Sequence, residues 1–449
     1  MNQQEPIRDA RQLGVPKMLL LGVQHMFAMF GATILVPIIV VSQYGLPLNI
    51  QTTLFFAGIG TLFFHLCSKF QVPAFLGSSF AFLGGFETIS RLPAYEGLDP
   101  AVKLQYACGG IVAAGLLYLI LALLVKVVGV HKVMRFLPPV VTGPIIVCIG
   151  LNLAPSAVSN AAMCWPLALI ALGVIIVFNI WGRGMFKIIP ILLGVVIAYA
   201  AALIMNAFGM TNVDGSPILN LAAIAQANWV GLPPFHLARF DLSGILVMAP
   251  IAIAAMMEHI GDMSAISATV GENFLSNPGL HRTLVGDGLA TTLSALFGGP
   301  ANTTYGENTG VLVLSRVYDP RVIRLAALYA VVLGFIPKMA EVIGSMPTAI
   351  VGGISFMLYG MISAIGVRNI VENKVDFTNS RNLIIAAVIL VCGLGFSGGL
   401  TFQVGGASVT LTGLAIAAIA GIVLNAVLPG NDYQFGVNDS GDQNRGIHA

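Results

Sequence analysis

The chain has 449 residues, of which 57% are hydrophobic and only 9% are charged, with a formal net charge of +2. Soluble domains carry about 25% charged residues, so a water-soluble globular protein is excluded, and the thin spread of Lys and Arg excludes a basic nucleic-acid-binding surface. Cys67, Cys108, Cys148, Cys164 and Cys392 are widely spaced, point to neither a disulfide framework nor a metal site, and are read as small packing residues.

Apolar runs of about the 17–25 residues that a helix needs to cross a bilayer recur along the whole chain. They predict an all-α polytopic membrane protein with fourteen transmembrane spans, near 17–41, 50–68, 74–88, 102–129, 136–156, 163–181, 186–208, 241–266, 281–298, 302–316, 322–340, 346–365, 380–397 and 406–428. The first run is too long for a signal-peptide core and has no small-residue cleavage pattern after it, so it is expected to stay. With both termini in the cytoplasm, only Arg91, Lys103, Arg239 and Lys338 fall outside, the asymmetry expected of a multi-pass protein of the cytoplasmic (inner) membrane. The polar connection 209–240 is then extracellular, and the polar tail 430–449 is predicted to be a disordered cytoplasmic segment.

That connection divides the chain into two seven-span halves. Seven is odd, so a second copy of one unit must enter the membrane from the opposite side, which predicts inverted repeats. Three correspondences recur in the same order: Gln24-His25 with Glu258-His259, Pro73-Ala74-Phe75 with Pro300-Ala301-Asn302, and Leu137-Pro138-Pro139 with Met346-Pro347-Thr348. Spans 3 and 10 are rich in Gly and Pro and read as short extended segments leading into half-helices near Phe80 and Glu307. Such backbone is tolerated at membrane depth only where protein or a water-filled cavity satisfies it.

Ionisable groups inside these spans mark the candidate site, because a central Asp costs about 2.5–3.5 kcal/mol in insertion experiments. Glu258 and Asp262 are spaced i, i+4 on one helix face, as a substrate-and-proton pair or as a structural hydrogen-bond cluster. Glu307 opens a half-helix, as a binding group or as an N-terminal cap. His259 points about 100° away from Glu258 and is assigned to packing, Gln24 to structure, and Asp287 to a helix-packing hydrogen bond. Arg316 marks a span boundary, and Lys338 is expected to pair with Glu341. Two carboxyl groups, helix N–H groups and the face of Phe80 suit a neutral ring with alternating donors and acceptors, as in a nucleobase. No nucleophile elbow, phosphate loop or metal-spaced cluster is present, so neither an enzyme nor a cofactor is expected.

The stretch from Asn302 to Arg316 resembles the signature of the nucleobase/ascorbate transporter family: Gln/Glu/Pro, Asn, any residue, Gly, four residues, Thr and Arg/Lys/Gly, with Ser315 in place of Thr. The resemblance implies a core domain of 1–135 and 241–340, a gate domain of 136–208 and 341–429, a homodimer, and proton-coupled nucleobase import by alternating access. It implies that Glu258 and Glu307 bind the base, that Phe80 stacks on it beside Ser79, and that backbone at Tyr305 and Gly306 hydrogen-bonds it. His25, Asp262 and Asn308 would serve proton coupling or site support. Glu at position 307 is similar to bacterial uracil permeases, whereas xanthine and urate carriers typically have Gln there. Asp262 stands where the best-known uracil carriers have His and purine carriers have Asp, so a xanthine or urate permease is the alternative. An anion transporter of the same architecture is disfavoured by the acidic site.

Overall fold

Proline and small polar residues start the helices. In the computed structural model, which describes residues 6–430 except 220, 397, 405 and 406, α1 (Val15–Tyr44) opens with Pro16 in its first turn and ends at Gly45, in the left-handed region at φ 66. Then come α2 (Ile50–Cys67), capped by the Asn49 side chain, β1 (Leu76–Ser78), α3 (Leu83–Ser90), and α4 (Pro100–Val128), capped by Asp99. The first half continues through α5 (Val130–Met134), α6 (Pro139–Ala162), α7 (Trp165–Trp181), α8 (Met185–Ile188) and α9 (Pro190–Ala207).

After the connection, which carries α10 (Ala222–Gln226), come α11 (Leu242–Met248), α12 (Ile251–Val270), α13 (Leu280–Leu296), β2 (Asn302–Thr304) and α14 (Gly306–Ser315). The chain then forms α15 (Pro320–Gly334), α16 (Pro337–Gly344), α17 (Thr348–Glu372), α18 (Ser380–Gly395), the strands β3 (Leu400–Val404) and β4 (Ala407–Leu411), and α19 (Gly413–Val427). Seven helices among the described residues are long and apolar enough to cross a membrane, or eight if α15 and α16 are joined.

Three expectations need correction. The span at 322–340 is not one helix: α15 ends at Gly334, and α16 leaves it at 87°. Pro337 explains the break, since it cannot supply the N–H that a continued helix would need. The span at 406–428 contains β4, the second strand of a β3–β4 hairpin, and becomes helical only at Gly413, where Thr412 caps the turn through the Ala415 N–H at 3.3 Å. Lys338 does not pair with Glu341 among the described residues; its ammonium lies 4.9 Å from the Trp229 ring centre instead. The tail predicted from 430 lies outside the described residues beyond Gly430.

Close helix packing depends on missing side chains. A Cβ at Gly150 on α6 would run into the Tyr359 carbonyl and Ser363 of α17. Gly150→Leu is therefore expected to destabilise the protein by about 1–3 kcal/mol, read as a lowered melting temperature in detergent; an unchanged melting temperature would contradict this contact.

The N-terminal segment is stitched across the ends of α12, α14 and α15. Ile7 donates to the Arg316 carbonyl at 2.9 Å and accepts from the Tyr318 N–H at 2.9 Å. Arg8 donates to the Val270 carbonyl at 3.0 Å and pairs with Glu272. The Ala10 N–H reaches Asp319 at 2.7 Å, and Arg321 reaches Asp9 at 2.8 Å. Hydrogen bonds from the Arg11 side chain and backbone hold the Asp9 carboxyl below its usual range.

Candidate functional site

Both extended segments meet as one small antiparallel sheet. Leu76 faces Thr304, Gly77 faces Thr303 and Ser78 faces Asn302. The pairing continues through the Tyr305 N–H to the Phe75 carbonyl at 3.0 Å and the Ser79 N–H to the Ala301 carbonyl at 2.9 Å, so the non-helical backbone is satisfied within the protein. A side chain at Gly77 would collide with the Tyr305 ring, which is why the strand there carries none. Beyond the sheet the chain turns helical on both sides, at Phe80 and at Gly306.

These ends border a cavity of about 860 Å³, with Phe80, Glu258, Asp262, Tyr305, Gly306 and Glu307 in its wall. Its far end reaches Arg316, Arg368 and Glu372 at helix ends, and Pro6 of the N-terminal segment. The structure thus brings six of the nine singled-out residues to one space. Ser79, His25 and Asn308 are not among the residues bordering it.

Glu258 on α12 presents Oε2 as a buried atom with no hydrogen-bond partner among the described residues. It lies within Coulomb range of Asp262, Glu307 and Asp287. One turn further along α12, Asp262 accepts a hydrogen bond from the Thr304 hydroxyl at 2.8 Å, which ties the helix to β2. Glu307 sits in the first turn of α14, where backbone N–H groups lack helical partners. Phe80 meets the Tyr359 ring edge-on, with centres 6.0 Å apart.

The Tyr305 N–H, expected to face the substrate, is already committed to the Phe75 carbonyl. Backbone donors for a ligand therefore begin at Gly306. The Tyr305 hydroxyl is likewise committed, donating to the Ser78 carbonyl at 2.9 Å. Ser79 is buried, and its hydroxyl has no partner among the described residues.

His25 and Asn308 form a second layer. The Asn308 amide donates to the His25 carbonyl at 3.0 Å and lies 3.2 Å from its Nδ1. A carbonyl can only accept, so the amide must turn its NH2 group there; Nδ1 is then an acceptor, and the neutral ring carries its proton on Nε2.

Sequence reasoning missed two features. His259 is not a passive packing residue: Nδ1 lies 3.0 Å from Asp287, and Nε2 lies 3.1 Å from the Thr283 hydroxyl. Its place beside Glu258 was the available signal. Thr304 was also missed as a partner of Asp262, because the fold alone brings β2 against α12.

A profile of the permease family, Xan_ur_permease, matches residues 16–401. The uracil permease of Bacillus caldolyticus is 40% identical over 419 residues, covering 91% of each chain. The uracil permease of Escherichia coli (strain K12) is 37% identical over 91% of this chain and 90% of its own. The putative pyrimidine permease RutG of the same strain is 38% identical over 91% and 88%. Among solved structures, the transmembrane domain of a cyanobacterium bicarbonate transporter, BicA, superposes with a TM-score of 0.64 at 18% identity, over 93% of this chain and 100% of that one. The murine Solute Carrier 26 family member A9 anion transporter gives 0.65 at 9% identity, over 92% and 68%. These two likenesses establish the fold alone, a helical multi-pass membrane architecture. With relatives that are permeases rather than enzymes, and a profile matching most of its length, the chain belongs to the permease family of nucleobase/ascorbate transporters.

Proposed function

We propose that this protein imports a nucleobase, uracil, across the cytoplasmic membrane together with a proton, by alternating access. The carrying observation is that Glu258, Glu307 and Phe80, distant in sequence, border one cavity with the first turn of α14. Uracil is a flat, uncharged ring. Its N–H groups would donate to the carboxylates, its carbonyls would accept from N–H groups at Gly306 and beyond, and its face would lie on Phe80. The names of the relatives support the same substrate.

The proposed cycle moves a core of 1–135 and 241–340 against a gate of 136–208 and 341–429. Packing supports that division: α2 lies on α13 and α15 and α4 lies on α13 and α11, whereas α6 lies on α17 and α18. Fourteen spans in two inverted repeats are part of the proposal, and the β1–β2 register supports them. The third residue after Pro73 faces the fourth after Pro300, and the fourth faces the third, the exchange that a two-fold axis requires. Both termini are cytoplasmic on the Lys/Arg asymmetry, so a cavity reaching Arg316 and Pro6 corresponds to an inward-facing arrangement. A homodimer is the assembly the family implies.

Asp262 favours a second reading, a xanthine or urate permease. Labelled-uracil uptake into proteoliposomes under an inside-alkaline pH gradient tests the assignment. Accumulation driven by protons but not by a sodium gradient, with weak competition by xanthine, is expected; absence of uracil uptake would refute the reading, and strong competition by xanthine would favour the purine alternative.

A further inference from the structure

Behind Glu258 lies a group of buried polar side chains that the binding scheme does not use. His259 and Asp287 are both fully buried, with Nδ1 and Oδ2 3.0 Å apart. The contact lies off the line of a good hydrogen bond, and neither Asp287 oxygen has a hydrogen-bond partner among the described residues. The Tyr118 hydroxyl of α4 is buried and unpartnered as well, within Coulomb range of both Asp287 and Glu258. Close approach of α4 to α13 places it there: a Cβ at Gly288 would strike the Tyr118 Cβ and the Gly115 carbonyl.

Orphaned polar atoms are rare in protein interiors, and several in one place need a reason. A metal is not that reason, since no group of three or more potential ligands exists among the described residues. The other titratable groups around the pair are Asp262 and Glu258 on α12, Tyr118 on α4, and, on α2, Cys67 beside Gly286 and His65 beyond Phe64. His65 is engaged by the Ala74 carbonyl at 2.8 Å. Lys and Arg are absent from this set and His65 is turned to the Ala74 carbonyl, so the group in contact with Asp287 that can carry positive charge opposite it is His259.

We propose that Asp287 and His259 form a second proton-holding site, one helix layer behind Glu258, and that it exchanges a proton with Glu258 during the transport cycle. The inference rests on the proton-coupled reading given above. In the exchange, the O–H bond of protonated Glu258 breaks as a bond to hydrogen forms on the pair. Glu258 is left as a carboxylate, the pair gains one positive charge, and no electrons are transferred. The two residues share the proton as a unit, so neither titrates alone. Function follows from where the charge rests: a proton on Glu258 leaves the binding carboxyl neutral, and a proton on the pair leaves it anionic and ready to accept a base N–H.

The test compares wild type with Asp287→Asn and His259→Gln in proteoliposomes. Counterflow, the exchange of external labelled for internal unlabelled uracil, needs no net proton movement. Accumulation does, and one coupled proton per base sustains about tenfold accumulation for each pH unit imposed. Asp287→Asn is expected to keep counterflow within about threefold of wild type, a shift of under 1 kcal/mol, and to lose accumulation. Wild-type accumulation by the variant would overturn the proposal; joint loss of counterflow and accumulation would also overturn it, in favour of a structural pair. If wild type moves no uracil, the transport reading has failed, and infrared spectroscopy of substrate-free protein still decides the pair. The difference spectrum between pH 8 and pH 5 should contain imidazole and carboxyl bands of the pair, changing together, that both Asp287→Asn and His259→Gln remove or displace. Spectra unchanged in the two variants would sink the idea without reference to any substrate.

Discussion

Glu258→Ala is expected to reduce labelled-uracil uptake by roughly 10- to 100-fold or more, since a hydrogen bond to a charged acceptor is worth about 1.5–3 kcal/mol. The same change should leave the fold intact. Glu258 Oε2 has no partner among the described residues, so truncation orphans no neighbour, and removing an unsatisfied buried polar atom is neutral or stabilising. Asn308→Ala provides the contrast. Its amide holds the His25 carbonyl, and its loss should cost stability as well as transport. Uptake measured beside thermal unfolding separates the two: Glu258→Ala should fail in transport with a melting temperature at or above wild type. Glu258→Gln keeps the shape and one acceptor but cannot carry a proton, so it should retain some uracil binding and lose proton-driven accumulation. Wild-type uptake by Glu258→Ala would remove the foundation of the proposed site.

Much of the architecture was legible because the bilayer imposes long apolar runs, and their ends are marked by Pro, Asn and Asp at helix starts. The interrupted stretches around Leu76 and Asn302 were legible for the opposite reason: Gly and Pro inside apolar runs need an explanation, and the β1–β2 sheet supplies it. Contacts between elements were not legible. Nothing in the run Ile251–Val270 indicates that Asp262 meets Thr304 from β2, or that His259 meets Asp287 from α13. Periodicity gives a side chain's direction around its own helix but not the identity of the neighbour there. The β3–β4 hairpin was missed because its strands join an apolar helix in one continuous hydropathic stretch. Hydropathy alone does not distinguish a strand from a helix over so short a run.

Glu307→Gln is expected to weaken uracil binding by roughly 10-fold and to shift the preference towards xanthine. The carboxylate can accept from two N–H groups, whereas the amide offers one acceptor and one donor, and a neutral hydrogen bond has about half the strength of a charge-assisted one. The resemblance of Glu307 to uracil permeases, against the Gln of xanthine carriers, predicts the direction of the switch. A capping role for Glu307 predicts something else. At the first turn of α14 its charge favours the helix dipole by about 0.3–1 kcal/mol, so a cap would lose a little stability on amidation without changing the ratio of the two bases. Inhibition of labelled-uracil binding by unlabelled uracil and xanthine, measured on purified wild type and variant, distinguishes these outcomes. A changed ratio assigns Glu307 to substrate recognition. An unchanged ratio with a slightly lower melting temperature would reduce it to a cap, leaving Glu258 and the backbone of α14 as the polar groups to hold the base.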